Sequence, residues 1–388
     1  MGGPLLSPAA PPSVPEQRDL SHLLRPETYQ PLSQLSIPAP FRNSPRQPRP
    51  DTAIPDLLAR GHYRAAAIAA AQELSGTGGA PPPDPADHAR ILDLIHVRLA
   101  CLGLSAASGV AVGVAAQEAR ALGDVVGPSF FSSSTTTTSD ANDAADDEEP
   151  PWPWPLRVLA VRLQALGFAD PRRAVASYYE LAAEARSRLR GATARGDNSA
   201  RELWRGRLAG LGVAVAGALV EMGDLAGAAR HLETLRGGVS DGGAAMVGFA
   251  RALLWLHVGD VEAARACVGP GEVGEKIVAA LCAMADGEYG EALAAWRELR
   301  AERPEDEMIG VNMAVCLLYV GEIQEGKSLL EGMVDAGYSS HTLLFNLATM
   351  YELCTERSRT LKAQLAERVA GMEESPMGWE KGNADFKL

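Results

Sequence analysis

The sequence predicts an all-α fold built as a tandem array of paired antiparallel helices. Hydrophobic residues fill 46% of the 388 positions but aromatic residues only 5%, so Ala, Leu and Val carry most of the apolar content. This composition favours closely packed helices, and the alternating β-branched runs that mark sheets are scarce. A short phrase of Gly, a polar residue, a hydrophobe and then small residues also recurs along the chain, which indicates a repeat.

The recurring phrase has a nearly regular spacing. It begins at four glycines, Gly223, Gly259, Gly287 and Gly321. The intervals between them are 36, 28 and 34 residues, and Asn312 and Asn346, in the matching contexts "VNMAVCLLY" and "FNLATMYEL", also lie 34 apart. A period near 34 with two helices per unit is the tetratricopeptide signature. The sequence therefore predicts a tetratricopeptide-like α-solenoid.

Each position of the phrase has an expected structural role. The glycine turns the first helix into the second, and the acid after it favours the positive end of that second helix. The small residue five places on, such as Ala292, lets the pair approach closely, and Trp296 is expected to be buried between consecutive repeats. Degenerate phrases start at Gly61 and Gly167; the second, "GFADPRRAVASYYEL", matches if two residues are inserted before Ala174.

Composition divides the chain into five expected regions. Proline-rich residues 1–50 predict an arm that is mostly extended or disordered, although eight apolar side chains between Leu20 and Phe41 indicate packing on the body or on a partner. The remaining regions are helical hairpins at 51–123, a disordered low-complexity Ser/Thr and acidic insertion at 124–150, the solenoid at 151–374 and a patternless tail at 375–388.

The charge pattern limits the classes of partner. The formal net charge is −13, and the run at 140–149 holds six of the acids, which leaves a mildly acidic body. Binding to nucleic acid or to anionic membranes is therefore disfavoured. Between Trp152 and Arg207, however, eleven arginines face only five acids. That excess is either a set of solvated helix faces or a docking patch for an acidic partner, with three candidate contacts, Arg186, Arg188 and Arg190.

Cysteine usage and hydropathy indicate a cytoplasmic protein. The five cysteines are far apart and form no CxxC pair, so we expect small buried hydrophobes in a reducing compartment. The first residues have neither the basic nor the apolar region of a signal peptide. No uninterrupted stretch of about eighteen apolar residues is present, so no transmembrane segment is expected.

Motifs for catalysis or cofactor binding occur only in fragments. "GVSDG" places Ser240 in a GxSxG pattern, but a nucleophile elbow needs a strand before it and the preceding residues are helical. "GLGVAVA", at 210–216, resembles a dinucleotide-binding loop but also follows a helical stretch. The seven histidines never adopt metal-ligand spacing. We therefore expect no enzyme and assign no catalytic, cofactor-binding or metal-binding residue.

Several long phrases resemble a known family. They are "LSHLLRPETYQPLSQLSIPAPF", "GHYRAAAIAAAQEL", "VNMAVCLLYVGEIQEGKSLLE" and "TLLFNLATMYEL". From about residue 19 to 373 the chain resembles the tetratricopeptide subunit 12 family of the transport protein particle (TRAPP) complex, in a short, fungal-type form. The insertion and the tail lie outside that resemblance.

The resemblance implies a non-catalytic scaffold in a membrane-tethering complex. Its implied partners are other TRAPP subunits and, indirectly, a Rab-type GTPase and vesicle or Golgi membranes. The implied setting is ER-to-Golgi transport and autophagy, at the cytoplasmic side of ER–Golgi intermediate and Golgi membranes. The alternative is a co-chaperone-like adaptor that clamps peptide carboxylates with Lys and Asn on successive helices; Asn312 and Asn346 fit, but no Lys accompanies them.

Overall fold

The computed structural model describes residues 20–105, 109–123, 152–235, 241–269 and 274–388. Within these ranges every regular element is a helix. The α-helices, in chain order, are α1 Ala39–Arg42, α2 Ile54–Ala59, α3 Tyr63–Ser75, α4 His88–Leu104, α5 Gly109–Ala121, α6 Trp154–Gly167, α7 Pro171–Arg195, α8 Asn198–Glu221, α9 Leu225–Leu235, α10 Asp241–Val258, α11 Val261–Arg265, α12 Glu275–Ala285, α13 Tyr289–Glu302, α14 Glu307–Tyr319, α15 Ile323–Asp335, α16 His341–Cys354 and α17 Ser358–Ala370.

Successive helices pack against each other as antiparallel neighbours. The α8–α9, α12–α13 and α14–α15 pairs are each joined by three residues, and the two helices of each pair are in contact. A connection this short returns the chain directly along the preceding helix. Each second helix also contacts the first helix of the next pair, as in α13 with α14. The fold is a tetratricopeptide-like α-solenoid, as the sequence predicts.

The repeated glycines lie at the turns inside the helix pairs. Gly287 and Gly321 follow α12 and α14 with φ of +83° and +93°. After α14, the Gly321 N–H donates to the Leu318 carbonyl at 3.2 Å and the Glu322 N–H donates to the Leu317 carbonyl at 2.8 Å. This pair of bonds satisfies the last carbonyls of the helix and needs a left-handed residue. Gly223 and Gly259 also have positive φ at the corresponding turns.

The small residue five positions after each glycine lies where the two helices meet. Ala228, Ala264 and Ala292 are each fully buried. At the fourth position, Gly326, an added Cβ would lie 3.0 Å from the Ala314 carbonyl oxygen and 3.2 Å from the methyl of Met350. An alanine at that position would therefore require its neighbours on α14 and α16 to shift by a few tenths of an ångström.

Trp296 fills the space between one helix pair and the next. Its side chain on α13 is fully buried, in a cluster with Ile277 of α12 and Ile309 of α14. The indole N–H points at the Met284 sulfur, at 3.2 Å. The residue thus joins two repeats rather than presenting a surface for a ligand.

The degenerate repeat at Gly167 has a different register from the expected one. Gly167 is the last residue of α6, and Ala169, with φ of +52°, takes the left-handed turn position. Asp170 then caps α7, and Ala174, five residues after Ala169, is buried like its counterparts. The proposed two-residue insertion is therefore wrong, because an alanine occupies the place of the glycine.

Gly167 itself is required by helix packing. An added Cβ would overlap the Ala116 side chain and lie 2.8 Å from the Val112 carbonyl oxygen. A glycine in the last turn of α6 therefore lets that helix approach α5.

The N-terminal arm, from residue 20 onward, packs on the helices. Two 3₁₀ helices, Ser21–Leu24 and Pro26–Thr28, precede α1, and Leu23 is buried. Leu20 is the N-cap residue of the first 3₁₀ helix. The stretch "SIPAPF" leads into α1, since the proline before Phe41 lies in the first turn of that helix, where a missing N–H costs nothing.

A buried arginine ties the arm to the first hairpins. Arg98 of α4 and Glu118 of α5 form a bidentate ion pair with N–O distances of 2.9 and 2.6 Å. The guanidinium also donates to the Ala67 carbonyl of α3 and the Gln30 carbonyl of the arm, at 3.0 and 2.9 Å. The Gln30 N–H donates back to Glu118 at 3.0 Å. A buried charge pair with this many hydrogen bonds is satisfied on all sides.

Candidate functional site

The last residues of the chain lie against the first complete hairpin. Arg64 on α3 and Glu380 in the tail form a bidentate ion pair, with N–O distances of 2.6 and 2.8 Å. The Tyr63 hydroxyl donates to the Pro376 carbonyl. The tail, which has no pattern in the sequence, therefore connects the two ends of the helical array.

An aromatic cluster lies beneath that ion pair. Phe41 of the arm packs edge-on against Trp379 of the tail, with ring centroids 5.3 Å apart, and lies 6.0 Å from Phe386. The Trp379 ring also lies against the His62 ring, with centroids 5.2 Å apart, and the Trp379 backbone N–H donates to the Gly61 carbonyl at 3.3 Å. Phe41 thus reaches the turn before α3 through Trp379 of the tail, while Leu20 and Leu23, earlier in the arm, pack directly against α2 and α3.

The turn between α2 and α3 is shaped to accept the tail. Gly61 has φ of +71°, and an added Cβ would overlap the Ser375 carbonyl oxygen and lie 2.8 Å from the Gly378 backbone. The first degenerate glycine of the repeat therefore has a second role, since it admits the tail backbone at close range.

A cavity of about 920 Å³ lies between the arm, α3 to α5, α16 and the tail. Its polar groups already have partners: His341 Nδ1 and the Asp385 carboxylate are 2.7 Å apart, and Lys381 donates to the Gly378 carbonyl at 2.7 Å. Burial lowers the pKa of Lys381, while the charges of Asp385 and Glu307 oppose that shift. The cavity therefore belongs to the junction between the two ends.

A second cavity, of about 500 Å³, lies between α7, α8 and α9; we call it the basic groove. Its floor is apolar and includes Ala182, Leu208, Leu211 and Val215. Arg186 of α7 and Arg205 of α8, both exposed, and the half-exposed Tyr179 line it as well. None of the lining residues is acidic. The groove therefore offers positive charge beside an apolar surface.

The three candidate arginines of α7 separate in the structure. Arg186 lines the basic groove, and Arg190 is exposed outside it. Arg188 is partly buried and interacts with other groups of the chain. The structure instead brings Arg205, which the sequence analysis did not single out, to the same groove as Arg186. The position of Arg205 depends on the length of the α7–α8 hairpin, which cannot be predicted from the sequence pattern.

Other arginines of the basic segment serve the fold. Arg157, only 2% exposed, forms an ion pair with Glu184 at 2.6 Å. The Arg207 guanidinium lies over the Trp204 ring, 4.3 Å from its centroid, and Trp204 packs edge-on against Trp154 at 5.5 Å. Some arginines of the basic segment are therefore used in contacts within the fold. The exposed ones include Arg186 and Arg205.

Asn312 and Asn346 occupy equivalent places on α14 and α16. Each side-chain amide donates to the carbonyl four residues earlier, that of Met308 at 3.0 Å and that of Thr342 at 2.8 Å. Both asparagines are partly exposed. Because one amide donor of each is used within its own helix, the repeated pair is explained by local structure.

The thiols are free and mostly buried. Cys101, Cys267, Cys282 and Cys316 are buried and Cys354 is partly exposed. Burial raises the pKa of Cys101 to about 12, that of Cys316 to about 11 and that of Cys282 in the same direction. A neutral buried thiol is a poor nucleophile and metal ligand. In the described ranges, no group of three or more His, Cys, Asp or Glu side chains could hold a metal ion.

The two partial motifs have different outcomes. Residues 210–216, the GxGxxA-like stretch, lie inside α8 and so form no phosphate-binding loop. Ser240 lies outside the described residues, as does the insertion at 124–150.

Helix α8 is long and apolar enough to cross a membrane by length and composition alone, with a mean hydropathy of 1.3 over its apolar window. Only 28% of that window is buried, although α8 packs against α7 and α9. A single helix of this kind is weak evidence for a membrane span, because core helices of soluble proteins pass the same test. The absence of a transmembrane segment therefore remains a prediction.

Paired helices, glycine turns and exposed grooves define a tetratricopeptide-like α-solenoid, a class that presents extended surfaces to other proteins. No family model matches the chain. Over 88 residues it is 40% identical to trafficking protein particle complex subunit 12 of Homo sapiens, covering 22% of this chain and 12% of that protein. The Mus musculus protein of the same name is 39% identical over 88 residues, 22% of this chain and 11% of that protein.

The aligned stretch thus spans only about an eighth of the length of these relatives. Among solved structures, the TPR domain of P58(IPK) is 13% identical, with a TM-score of 0.23 over 86% of this chain and 94% of that domain.

Proposed function

We propose that the chain is a non-catalytic scaffold subunit of a TRAPP-type membrane-tethering complex. The observation that carries the proposal is the 40% identity over 88 residues with human subunit 12. Such a subunit contacts neighbouring subunits and holds them in place, while the core of the complex exchanges nucleotide on a Rab-type GTPase. The proposed setting is ER-to-Golgi transport and autophagy, on the cytoplasmic side of Golgi and ER–Golgi intermediate membranes.

The architecture supports a scaffold role. Each repeat contacts mainly its neighbours, so long faces of the helices remain available to partners. Large apolar side chains are exposed at equivalent positions of α14 and α16, Tyr319 at 62% and Leu353 at 60%, and Met246 of α10 is 67% exposed. Exposed apolar side chains that recur on a solenoid face favour contact with other proteins. The basic groove adds a charged surface to the same body.

The alternative function, a co-chaperone-like adaptor, depends on Asn312 and Asn346. These residues recur at the right period, but a carboxylate clamp also needs a nearby lysine, and the matching stretches contain none. Their amides also bond within their own helices. The structural pattern therefore favours the scaffold.

Affinity purification of the tagged full chain from its own cells, followed by mass spectrometry, tests the proposal. We expect TRAPP subunits in near-equal amounts, and co-elution with the complex in size-exclusion chromatography. Recovery of heat-shock proteins without TRAPP subunits would support the adaptor instead. The Trp296→Ala variant, in which the array is destabilised, is the matched control and should recover less of the complex.

A further inference from the structure

The basic groove has a combination of surfaces that a helical solenoid does not need for its own stability. Its apolar floor is formed by the partly exposed Leu208 of α8, with Leu211 of α8 and Ala182 of α7 buried beneath it. Arg186 and Arg205 line the same groove, and neither forms an ion pair with the described residues. Two arginines beside an apolar floor hold guanidinium groups in position for an anionic group.

The acids on this part of the chain are largely used elsewhere. Asp170, Asp197 and Asp224 each accept a backbone N–H at the start of α7, α8 and α9. Glu221 is paired with Arg162 at 4.0 Å and Glu233 with Arg251 at 3.2 Å.

Three further acids lie on α7 and α8, and none lines the basic groove. Glu184 is paired with Arg157 at 2.6 Å, and Glu180 lines a different cavity beside α6. Glu202 is exposed, one turn before Arg205. The groove therefore carries a local positive charge within a chain whose net charge is −13.

The walls of the groove are fixed by local packing. His231 of α9 makes a hydrogen bond through Nε2 to the Gly212 carbonyl of α8 at 3.1 Å. An added Cβ at Gly212 would lie 2.7 Å from a methyl of Leu235, so a larger residue there would require the Leu235 side chain to move. Because these contacts set the distance between the helices, the floor is formed before any partner binds.

We propose that the basic groove binds an acidic segment of a partner protein, in which carboxylate side chains alternate with apolar ones. The carboxylates pair with Arg186 and Arg205, and an apolar side chain packs on the partly exposed Leu208 and Tyr179. A guanidinium accepts a carboxylate with two parallel hydrogen bonds, which gives direction as well as charge. At about 500 Å³ the groove holds a few side chains, so the occupant is a peptide segment rather than a folded domain.

The apolar floor decides between two anionic occupants. A nucleic acid or a polyphosphate would also meet the arginines, but it would leave the floor uncovered. An acidic and apolar peptide satisfies both surfaces, with the half-exposed Tyr179 ring at the rim. This inference does not rest on which complex the chain joins, because it depends on the groove alone.

Fluorescence anisotropy tests the proposal with the full chain and a labelled peptide in which Glu and Asp alternate with Leu and Phe. We expect saturable binding that weakens as salt rises. Arg186→Glu and Arg205→Glu are each expected to weaken binding about ten-fold, a change of about 1.4 kcal/mol. Arg190→Glu, on the same helix but outside the groove, is the matched control and should bind like the wild type.

Four outcomes would overturn the proposal. The first is unchanged affinity in the Arg186→Glu, Arg205→Glu double variant, with folding checked by circular dichroism. The second is equal binding of a peptide with Gln and Asn in place of the acids. The third is tighter binding of an oligonucleotide than of the acidic peptide. The fourth is peptide binding only after deletion of residues 140–149, which would make this chain's own acidic run the occupant.

Discussion

Arg64 and Glu380 lie 316 residues apart in sequence and form a two-fold hydrogen-bonded ion pair in the fold. Their side chains are 12% and 17% exposed, so each charge is largely removed from water. The pair links α3, near the start of the array, to the tail that follows its last helix.

Arg64→Ala is therefore expected to destabilise the protein by about 1–3 kcal/mol, because Glu380 would keep its buried charge without a partner. Thermal unfolding measures the loss. Arg90→Ala breaks an exposed pair, with Glu73, and should cost about 1 kcal/mol or less. Equal losses in the two variants would mean that the tail contact adds nothing to stability.

Gly321→Val is expected to lower the free energy of unfolding by more than about 1 kcal/mol, because φ of +93° is strained for a β-branched residue. No atom lies within 4 Å of an added Cβ there, so the Cβ itself meets no steric clash. Gly290→Ala, inside α13 and equally open, is the control and should be neutral or stabilising. Chemical denaturation compares them, and an unaffected Gly321→Val would contradict the turn geometry.

Ala169→Gly is expected to stabilise the protein by about 0.5–1 kcal/mol, because glycine adopts φ of +52° without the strain of a Cβ. The reverse change at an equivalent turn, Gly223→Ala, should destabilise by a similar amount; no atom lies within 4 Å of the added Cβ. Both values come from urea unfolding. A destabilised Ala169→Gly would show that the alanine methyl contributes packing that outweighs the strain.

Trp296→Ala should destabilise the protein by about 3–5 kcal/mol, since it leaves a large cavity between α12, α13 and α14. Leu353→Ala, at a position 60% exposed, is the matched control and should change stability little. Calorimetry distinguishes them, and a Trp296→Ala melting temperature equal to that of the wild type would be incompatible with the packing described.

The buried thiols predict that the free energy of unfolding falls at high pH. The folded-state pKa values of Cys101 and Cys316, about 12 and 11, lie above the ordinary value of 9.0. The neutral thiol is thus the favoured form, so its stabilisation is complete below pH 9 and is lost as the pH rises through the folded-state values. At neutral pH, iodoacetamide should label the partly exposed Cys354 first. Rapid labelling of Cys101 in the native protein would contradict this burial, and urea-denatured protein is the control for full labelling.

The sequence itself predicted the repeating part of the fold. Glycine turns, small residues at the helix crossings and Trp296 between repeats are local requirements, and each appears as a residue type at a fixed spacing. Helices α13 and α15 each begin two residues after a repeat glycine, Gly287 or Gly321. Outside the repeats the local signals are weaker: helix α2 begins at Ile54, with a proline in its first turn and no side-chain cap from Ala53.

The tertiary structure alone decided how the two ends meet and which arginines share a groove. Neither feature is local: the contact of Arg64 with Glu380 depends on the summed geometry of every intervening helix pair, and Arg205 reaches Arg186 through the length of one hairpin. The left-handed conformation of Ala169 could not be predicted from the sequence either, because an alanine adopts it only when the surrounding helices hold it in place. The spacing of residues along the sequence determined the helical repeats of this protein. The packing of all the helices together determined the contact between its two ends and the basic groove.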